Sequence, residues 1–226
     1  MERPSSNLES IAQAIRADLT AKDQAREKVL SLCREVIRLS ARAIYAVHRG
    51  EFAQAESSLK RVRQLLDEVS QTLVQQAGLA HANFVHDAQK EYAEGCATLA
   101  LVLGNPLPEP ETLGVSYPAY LHGLGEAVGE LRRYLLDSIR KGDLSRCEEL
   151  LSIMDDIYNV LVSMDFPDAL TYGLRRTTDV VRGILEKSRG DLTLAMKQRD
   201  FIQQLEDLER SGKYPGSTPE RNSLIH

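Results

Sequence analysis

The chain has 226 residues, of which 42% are hydrophobic and 27% charged, and its formal net charge at pH 7 is −5. This length suffices for one domain with a sizeable core, and the composition is typical of a soluble globular protein. The acidic balance excludes binding of nucleic acid through bulk positive charge, although not through cations concentrated in one place. No apolar run reaches the roughly 18 residues that a membrane span requires, so no membrane partner is expected.

The cysteines and the N-terminus both indicate a cytoplasmic protein. Cys33, Cys96 and Cys147 are odd in number and widely spaced, which favours buried thiols over a disulfide framework or a metal knuckle. The N-terminal segment contains Glu2 and Glu9 and lacks the apolar stretch of a signal peptide.

Apolar residues recur at helical spacing along most of the chain, and no segment has the alternating pattern of a strand. We predict seven helices, over 8–48, 51–76, 79–103, 119–140, 144–164, 168–173 and 175–210. Alternating prolines predict an extended segment between the third and fourth of these helices. The predicted fold is therefore all-α, as a single domain over residues 1–211 followed by a polar, disordered tail over residues 212–226.

The third predicted helix carries two carboxylates on or beside its apolar face. At about 100° per residue, Glu91 lies roughly 20° from Phe84, inside the apolar arc, and Glu94 lies at the edge of that arc. A buried carboxylate is costly unless a cation or hydrogen bonds compensate it. The pair is therefore interpreted in two ways: as structural glutamates paired with an arginine of a neighbouring helix, or as half of a hard-metal site.

A second carboxylate pair, Glu126 and Glu130, lies in a glycine-rich stretch of the fourth predicted helix. Gly123, Gly125 and Gly129 each destabilise a helix by about 1 kcal/mol relative to alanine, and carboxylates four residues apart repel each other. In return, the glycines would let another backbone or a phosphate come close. Both glutamates lie away from the apolar stripe of this helix, so a solvated surface is the alternative interpretation.

Four carboxylates from two helices would suit Mg²⁺ or Mn²⁺, which prefer oxygen ligands. Such a metal centre would serve the hydrolysis of phosphodiester bonds. No other catalytic pattern competes, because the sequence contains no HExxH, no GxSxG and no glycine-rich phosphate loop. The candidate catalytic and metal-ligating residues are Glu91, Glu94, Glu126 and Glu130.

The cations are concentrated on the first predicted helix. From Lys22 to Arg49 there are seven lysine or arginine residues and three acidic ones, a net charge of +4, which leaves −9 on the rest of the chain. Arg34, Arg38 and Arg42 follow at intervals of four residues and form a ridge along one side of the helix, here named the arginine ridge. A solvated face with internal ion pairs is the ordinary interpretation of such a ridge, and binding of a phosphate backbone is the functional one.

These motifs resemble the translin superfamily, and its catalytic branch, translin-associated factor X (TRAX), more than translin itself. The segment Arg34–Arg49 is similar to that branch's first long helix, which also ends Arg-x-Ile-aromatic-x-x-His-Arg. Residues 91–94 match its Glu-Tyr-x-Glu, whose two glutamates are active-site carboxylates. Residues 120–131 match its Tyr-Leu-x-Gly…Gly-Glu-Leu block, with Glu126 in place of an Asp ligand and Glu130 at the position of a family Glu.

The resemblance covers roughly residues 25–200 and implies a seven-helix bundle that assembles into a closed, roughly octameric homo-oligomeric shell. It also implies a Mg²⁺-dependent endoribonuclease that binds single-stranded or short RNA through the arginine ridge and cleaves it at the four glutamates. Two alternatives remain open. One is a translin-like protein that binds RNA or single-stranded DNA without cleaving it, and the more distant one is a helical scaffold that binds proteins.

Overall fold

The computed structural model describes residues 7–75 and 83–210, which form eight α-helices and no strand. The helices are α1 (Leu8–His48), α2 (Phe52–Gln75), α3 (Asn83–Leu103), α4 (Pro110–Leu113), α5 (Tyr117–Arg140), α6 (Cys147–Ser163), α7 (Asp168–Thr171) and α8 (Leu174–Arg210). The predicted all-α class is confirmed. The predicted start of the third helix and the predicted tail lie outside the described residues.

The eighth helix, which the sequence did not predict, is the single turn α4. The alternating prolines predicted an extended segment there, and this prediction is wrong between Pro110 and Leu113. Proline is tolerated in the first turn of a helix, because its missing N–H would have no partner inside the helix in any case. Gly114, with a left-handed φ of 63°, then ends the turn.

Helices α3 and α5 form the centre of the bundle. Helix α3 packs against α1 and α2 as well as against α5, and α5 also contacts α6 and α8. The predicted apolar stripe of α5 faces this core, since Leu124, Leu131 and Leu135 are buried. Each such side chain contributes about 1.5–3 kcal/mol to the free energy of unfolding. The site residues on α3 and α5 are therefore positioned by two extensively packed helices at the centre of the bundle.

Helices α1 and α8, with 41 and 37 residues, extend beyond this core. At 1.5 Å per residue α1 is about 60 Å long. Its first buried residue is Val29, and the last buried residue of α8 is Leu192. The N-terminal part of α1 nonetheless carries exposed apolar side chains at helical spacing, namely Leu8, Ile11, Ile15 and Leu19. None of the described helices combines the length and hydrophobicity needed to cross a membrane.

Candidate functional site

The two glutamate-bearing helices, α3 and α5, cross with their backbones almost in contact. A Cβ atom on Gly123 would lie 2.7 Å from the Cβ of Ala93, 2.8 Å from the carbonyl oxygen of Lys90 and 2.9 Å from the backbone nitrogen of Glu94. Because those atoms belong to backbone or to a short side chain, only glycine fits at this crossing. The prediction that a glycine admits a second backbone is confirmed at Gly123.

The other two glycines of the stretch behave differently from each other. A Cβ on Gly125 would lie 2.3 Å from the Cγ2 of Thr177, so this glycine lets α8 approach α5. A Cβ on Gly129 would meet only the Cδ1 of Ile184, at an ordinary contact distance of 3.9 Å. Close approach therefore accounts for two of the three glycines.

The crossing of α3 and α5 brings three of the four predicted carboxylates together. One oxygen each of Glu91, Glu94 and Glu126 lies within 4.8 Å of the other two, and these residues are named the carboxylate cluster below. Carboxylate oxygens gathered from two helices in this way match the ligand preference of Mg²⁺ and Mn²⁺. Glu126 joins the cluster although it is a glutamate where the TRAX branch has an aspartate.

The two carboxylates of α3 are buried in the reverse of the predicted order. Glu94 is buried, with 8% of the residue exposed, whereas Glu91 is only partly buried. The helical wheel centred on Phe84 assumed one apolar face, but α3 is covered by α1 and by α5. Its buried arc is therefore wider than predicted and includes the side that Gly123 approaches.

Burial dominates the electrostatics of the two α3 carboxylates. It is the main reason that the pKa of Glu94 is raised to about 8, and the negative charges of Glu126, Glu91 and Glu130 add to this effect. Burial also raises the pKa of Glu91, while the ammonium of Lys90 acts in the opposite direction. A divalent cation bound here would reverse this preference and favour the ionised carboxylates.

Lys90 is the cation that the structure pairs with the cluster. Its Nζ donates a 2.7 Å hydrogen bond to Oε1 of Glu126 and lies 3.6 Å from Oε1 of Glu91. Burial lowers the pKa of Lys90, but the bond to Glu126 and the nearby carboxylates outweigh burial and raise it overall. Within the described residues, the predicted alternative of an arginine from a neighbouring helix is not observed, and Glu94 has no ion-pair partner.

Glu130 is held at the margin of the cluster by a different partner. Its Oε2 is hydrogen-bonded to Nε2 of His48, a side chain at the end of α1 that is 4% exposed, and Arg133 lies 3.8 Å away. The bond to His48 is the main reason that the pKa of Glu130 is lowered. Glu130 is close enough to raise the pKa of Glu94, but it does not belong to the group of three.

The carboxylate cluster opens into a cleft of about 430 Å³ that α8 closes from the other side. Glu94 and Glu126 line it from α3 and α5, and Arg176 and Thr177 line it from α8. Arg176 was not among the residues predicted from the sequence. Its signal in the sequence was the arginine pair Arg175-Arg176 at the start of a predicted helix, two residues after Gly173. An arginine in the same cleft as the carboxylates suits a phosphate that a bound metal would also contact.

The arginine ridge is exposed along α1, as predicted. Arg38 donates to the carboxylate of Glu35 at 2.8 Å, so one member of the ridge has an internal ion pair. No described ion pair includes Arg34 or Arg42. Arg42 precedes the Glu130-bound His48 by six residues, about 9 Å along the helix axis and about 120° around it, so the exposed ridge and Glu130 lie on different sides of α1.

No protein-family model matches the chain. An uncharacterised protein of Methanocaldococcus jannaschii is 29% identical over 192 residues, which are 83% of this chain and 81% of that protein. Among solved structures, AfC3PO in complex with duplex RNA is similar with a TM-score of 0.75 and 32% identity, over 83% of this chain and 97% of that one.

Two further C3PO structures give the same picture of the fold. A crystal structure of AfC3PO matches with a TM-score of 0.76 and 32% identity, over 83% of this chain and 98% of that one. Apo-NeC3PO matches with a TM-score of 0.74 over 81% and 96%, and at 20% identity it supports the fold alone. C3PO proteins are homologues of the translin–TRAX complex. The similarity to AfC3PO confirms the resemblance seen in the motifs, and the chain belongs to the translin superfamily as a TRAX-like member.

Proposed function

We propose that the protein is a metal-dependent endoribonuclease, which binds single-stranded or short RNA and hydrolyses its phosphodiester bonds inside an oligomeric shell. The observation that carries this proposal is the carboxylate cluster, in which Glu94 is buried without an ion-pair partner among the described residues. The structure of AfC3PO was solved in complex with duplex RNA, which supports RNA as the ligand of the present protein as well.

The chain's own residues fit a hard divalent cation. Glu91, Glu94 and Glu126 would hold Mg²⁺ or Mn²⁺, with Glu130 as a fourth carboxylate at the margin. When bound, the metal supplies a water molecule of lowered pKa and offsets negative charge on the phosphate. The protein supplies a partly buried site in which three carboxylates are already assembled, and His48 orients Glu130.

Two cationic features would bind the RNA itself. Arg176 lines the same cleft as Glu94 and Glu126, where its planar guanidinium can hold a phosphate through two hydrogen bonds. The arginine ridge Arg34, Arg38 and Arg42 would bind the RNA backbone and release its counterions, which makes affinity depend on salt. Cations on one ridge and in one cleft explain how a protein of net charge −5 can bind RNA.

A purified sample with short labelled RNA tests the catalytic proposal. We expect cleavage with Mg²⁺ or Mn²⁺ that stops on chelation, and Glu94→Gln should abolish cleavage while RNA binding persists. Glu148→Gln, which removes an exposed carboxylate of α6, is the matched control and should cleave like the parent. Binding without cleavage under either metal would instead support a translin-like binding protein. If the protein has no affinity for RNA at low salt, the helical scaffold that binds proteins is the alternative that remains.

The shell is proposed from the extended helices together with the family. The apolar stripe on the N-terminal part of α1 is exposed in the single chain, and a stripe of this kind is typical of a surface that another helix covers. We expect light scattering to give a mass several times the 25.2 kDa of the chain, eight-fold for an octamer. Replacing Ile11 and Ile15 by Glu should lower that mass, and a parent protein that is monomeric at micromolar concentration would contradict the shell.

A further inference from the structure

The loop between α7 and α8 contains an unusual backbone conformation. Within residues 7–75 and 83–210, Tyr172 is the one non-glycine residue with a positive φ, 54°. It stands directly after α7, a position at which glycine is favoured because it has no Cβ. A bulky side chain strains the backbone at such a φ. The tyrosine therefore costs conformational free energy that a glycine at this position would not.

One buried histidine of α5 is bonded to the helices on both sides of this loop. Nε2 of His122 is hydrogen-bonded to the carbonyl oxygen of Thr171 at 2.9 Å, and its Nδ1 to the hydroxyl of Thr177 at 2.8 Å. These two partners precede and follow Tyr172 in the chain. The strained residue is therefore held in a defined position before any ligand binds.

The ring of Tyr172 lies flat on a second histidine. The ring centroids of Tyr172 and His86 are 4.2 Å apart with an interplanar angle of 3°, and His86 in turn meets His122 edge-on at 5.4 Å. This stack covers one face of the tyrosine, and the residue remains 40% exposed. An exposed aromatic ring fixed in this manner offers a flat surface on which a second planar group can stack.

A cavity of about 390 Å³ lies beside this ring. It is lined by His86, Gln89, Ser116, Pro118, Ala169, Leu170 and Tyr172. Oε1 of Gln89 accepts hydrogen bonds from the N–H and the hydroxyl of Ser116, at 3.2 and 2.9 Å, and no described hydrogen bond uses its amide nitrogen. The walls combine apolar and aromatic side chains with the polar side chains of Gln89 and Ser116, and they include no carboxylate, lysine or arginine.

The cavity adjoins the carboxylate cluster along α3. His86 and Lys90 are one turn apart on the same side of α3, an axial rise of about 6 Å, and Lys90 is hydrogen-bonded to Glu126 of the carboxylate cluster. Thr177, which is bonded to His122, also lines the cleft of Glu94 and Glu126. A ligand with a planar end and a phosphate could therefore reach both places.

We propose that Tyr172, supported by His86, forms a nucleobase subsite, in which one base of the RNA stacks on the tyrosine while the adjoining phosphate lies at the carboxylate cluster. This inference rests on the proposed function, because it takes RNA as the ligand. Stacking on an aromatic ring tolerates any base, and the amide of Gln89 would add a hydrogen bond to a base edge.

The test compares two variants of one residue. Tyr172→Gly removes the ring and suits the positive φ, so it should fold and melt like the parent, whereas Tyr172→Phe keeps the ring. The probes are short single-stranded oligoribonucleotides with 2-aminopurine at successive positions, bound without divalent metal so that they are not cut. We expect one position to be quenched by the parent and by Tyr172→Phe but not by Tyr172→Gly. Affinity should fall about tenfold in Tyr172→Gly alone, with the salt slope unchanged.

The possible outcomes separate this inference from the proposed nuclease. Tyr117→Ala, at an exposed aromatic outside the cavity, is the control and should quench like the parent. If no position is quenched by the parent, or if all variants quench and bind alike, the subsite is overturned even where metal-dependent cleavage is intact. If the probe is quenched through Tyr172 but RNA is never cut, the subsite stands and the nuclease does not. Failure of the parent to bind any probe would overturn both.

Discussion

The same dipeptide, Gly-Glu, occurs twice on α5, one helical turn apart, and the two copies have different surroundings. At Gly125-Glu126 the backbone is close to α8, and the carboxylate joins the cluster with a lysine as partner. At Gly129-Glu130 the glycine has only an ordinary contact, and the carboxylate is bonded to a buried histidine of α1. Identical sequence thus yields one carboxylate inside the cluster, paired with a partly buried lysine, and one outside it, bonded to a buried histidine.

The difference also appears in the titration of the surrounding groups. Burial together with neighbouring negative charge raises the pKa of Glu94 beside the first copy, whereas the hydrogen bond from His48 lowers the pKa of Glu130 in the second. Carboxylates that lack a protein partner are costly without a metal, and those with a partner are stable without one. The surroundings of each copy, and not the residue type, therefore decide which glutamate joins the carboxylate cluster.

The largest expected effect is on catalysis. We expect Glu126→Gln to lower the rate of metal-dependent RNA cleavage about a thousandfold, equivalent to about 4 kcal/mol of transition-state stabilisation. Glu130→Gln should lower it by only about tenfold, because Glu130 lies outside the group of three and acts at its margin. Single-turnover rates at saturating Mg²⁺ measure both. Equal losses of rate in the two variants would show that Glu126 and Glu130 are equivalent ligands. That result would contradict the difference between the two Gly-Glu copies.

The second expected effect is on stability, and it concerns the glycines. Gly123→Ala places a Cβ within 3 Å of backbone atoms of α3, so it should lower the free energy of unfolding by about 3 kcal/mol and separate the carboxylate cluster. Gly129→Ala has room and should be neutral or stabilising by up to about 1 kcal/mol, because alanine favours the helix. Urea denaturation of the two variants gives these values. A neutral Gly123→Ala would mean that α3 and α5 are not held at backbone contact.

The smallest expected effect is the pH dependence of the metal-free protein. The pKa of Glu94 is raised above its ordinary 4.5 to about 8, so its contribution to stability is complete below pH 4.5 and is lost as the pH rises through 8. Relative to Glu94→Gln, the parent should therefore lose about 2 kcal/mol between pH 5 and 7. Glu130, whose pKa is lowered, has the opposite sign: it stabilises above pH 4.5 and loses this effect in acid. Denaturant titrations in chelator at several pH values check both, and parallel curves for parent and Glu94→Gln would contradict the assignment.

The sequence by itself determined the helices and named most of the candidate site. The period of apolar residues is a local property, so it predicted α1 from Leu8 to His48 and the stripe of Leu124, Leu131 and Leu135. Glycines that weaken a helix without local benefit likewise predicted a close approach, which the structure shows at Gly123. The motif order over α3 and α5 was sufficient to recognise the superfamily.

Only the tertiary structure decided which groups meet. Glu94 is more deeply buried than Glu91 because α1 and α5 both cover α3. A helical wheel is drawn from one segment, so it does not show how many other helices contact that segment. The bond between His48 and Glu130 joins residues 82 positions apart, and Arg176 reaches the cleft from another helix. Such pairings depend on where the helices cross, and crossing positions are set by side-chain packing over the whole bundle, which periodicity along one helix does not encode.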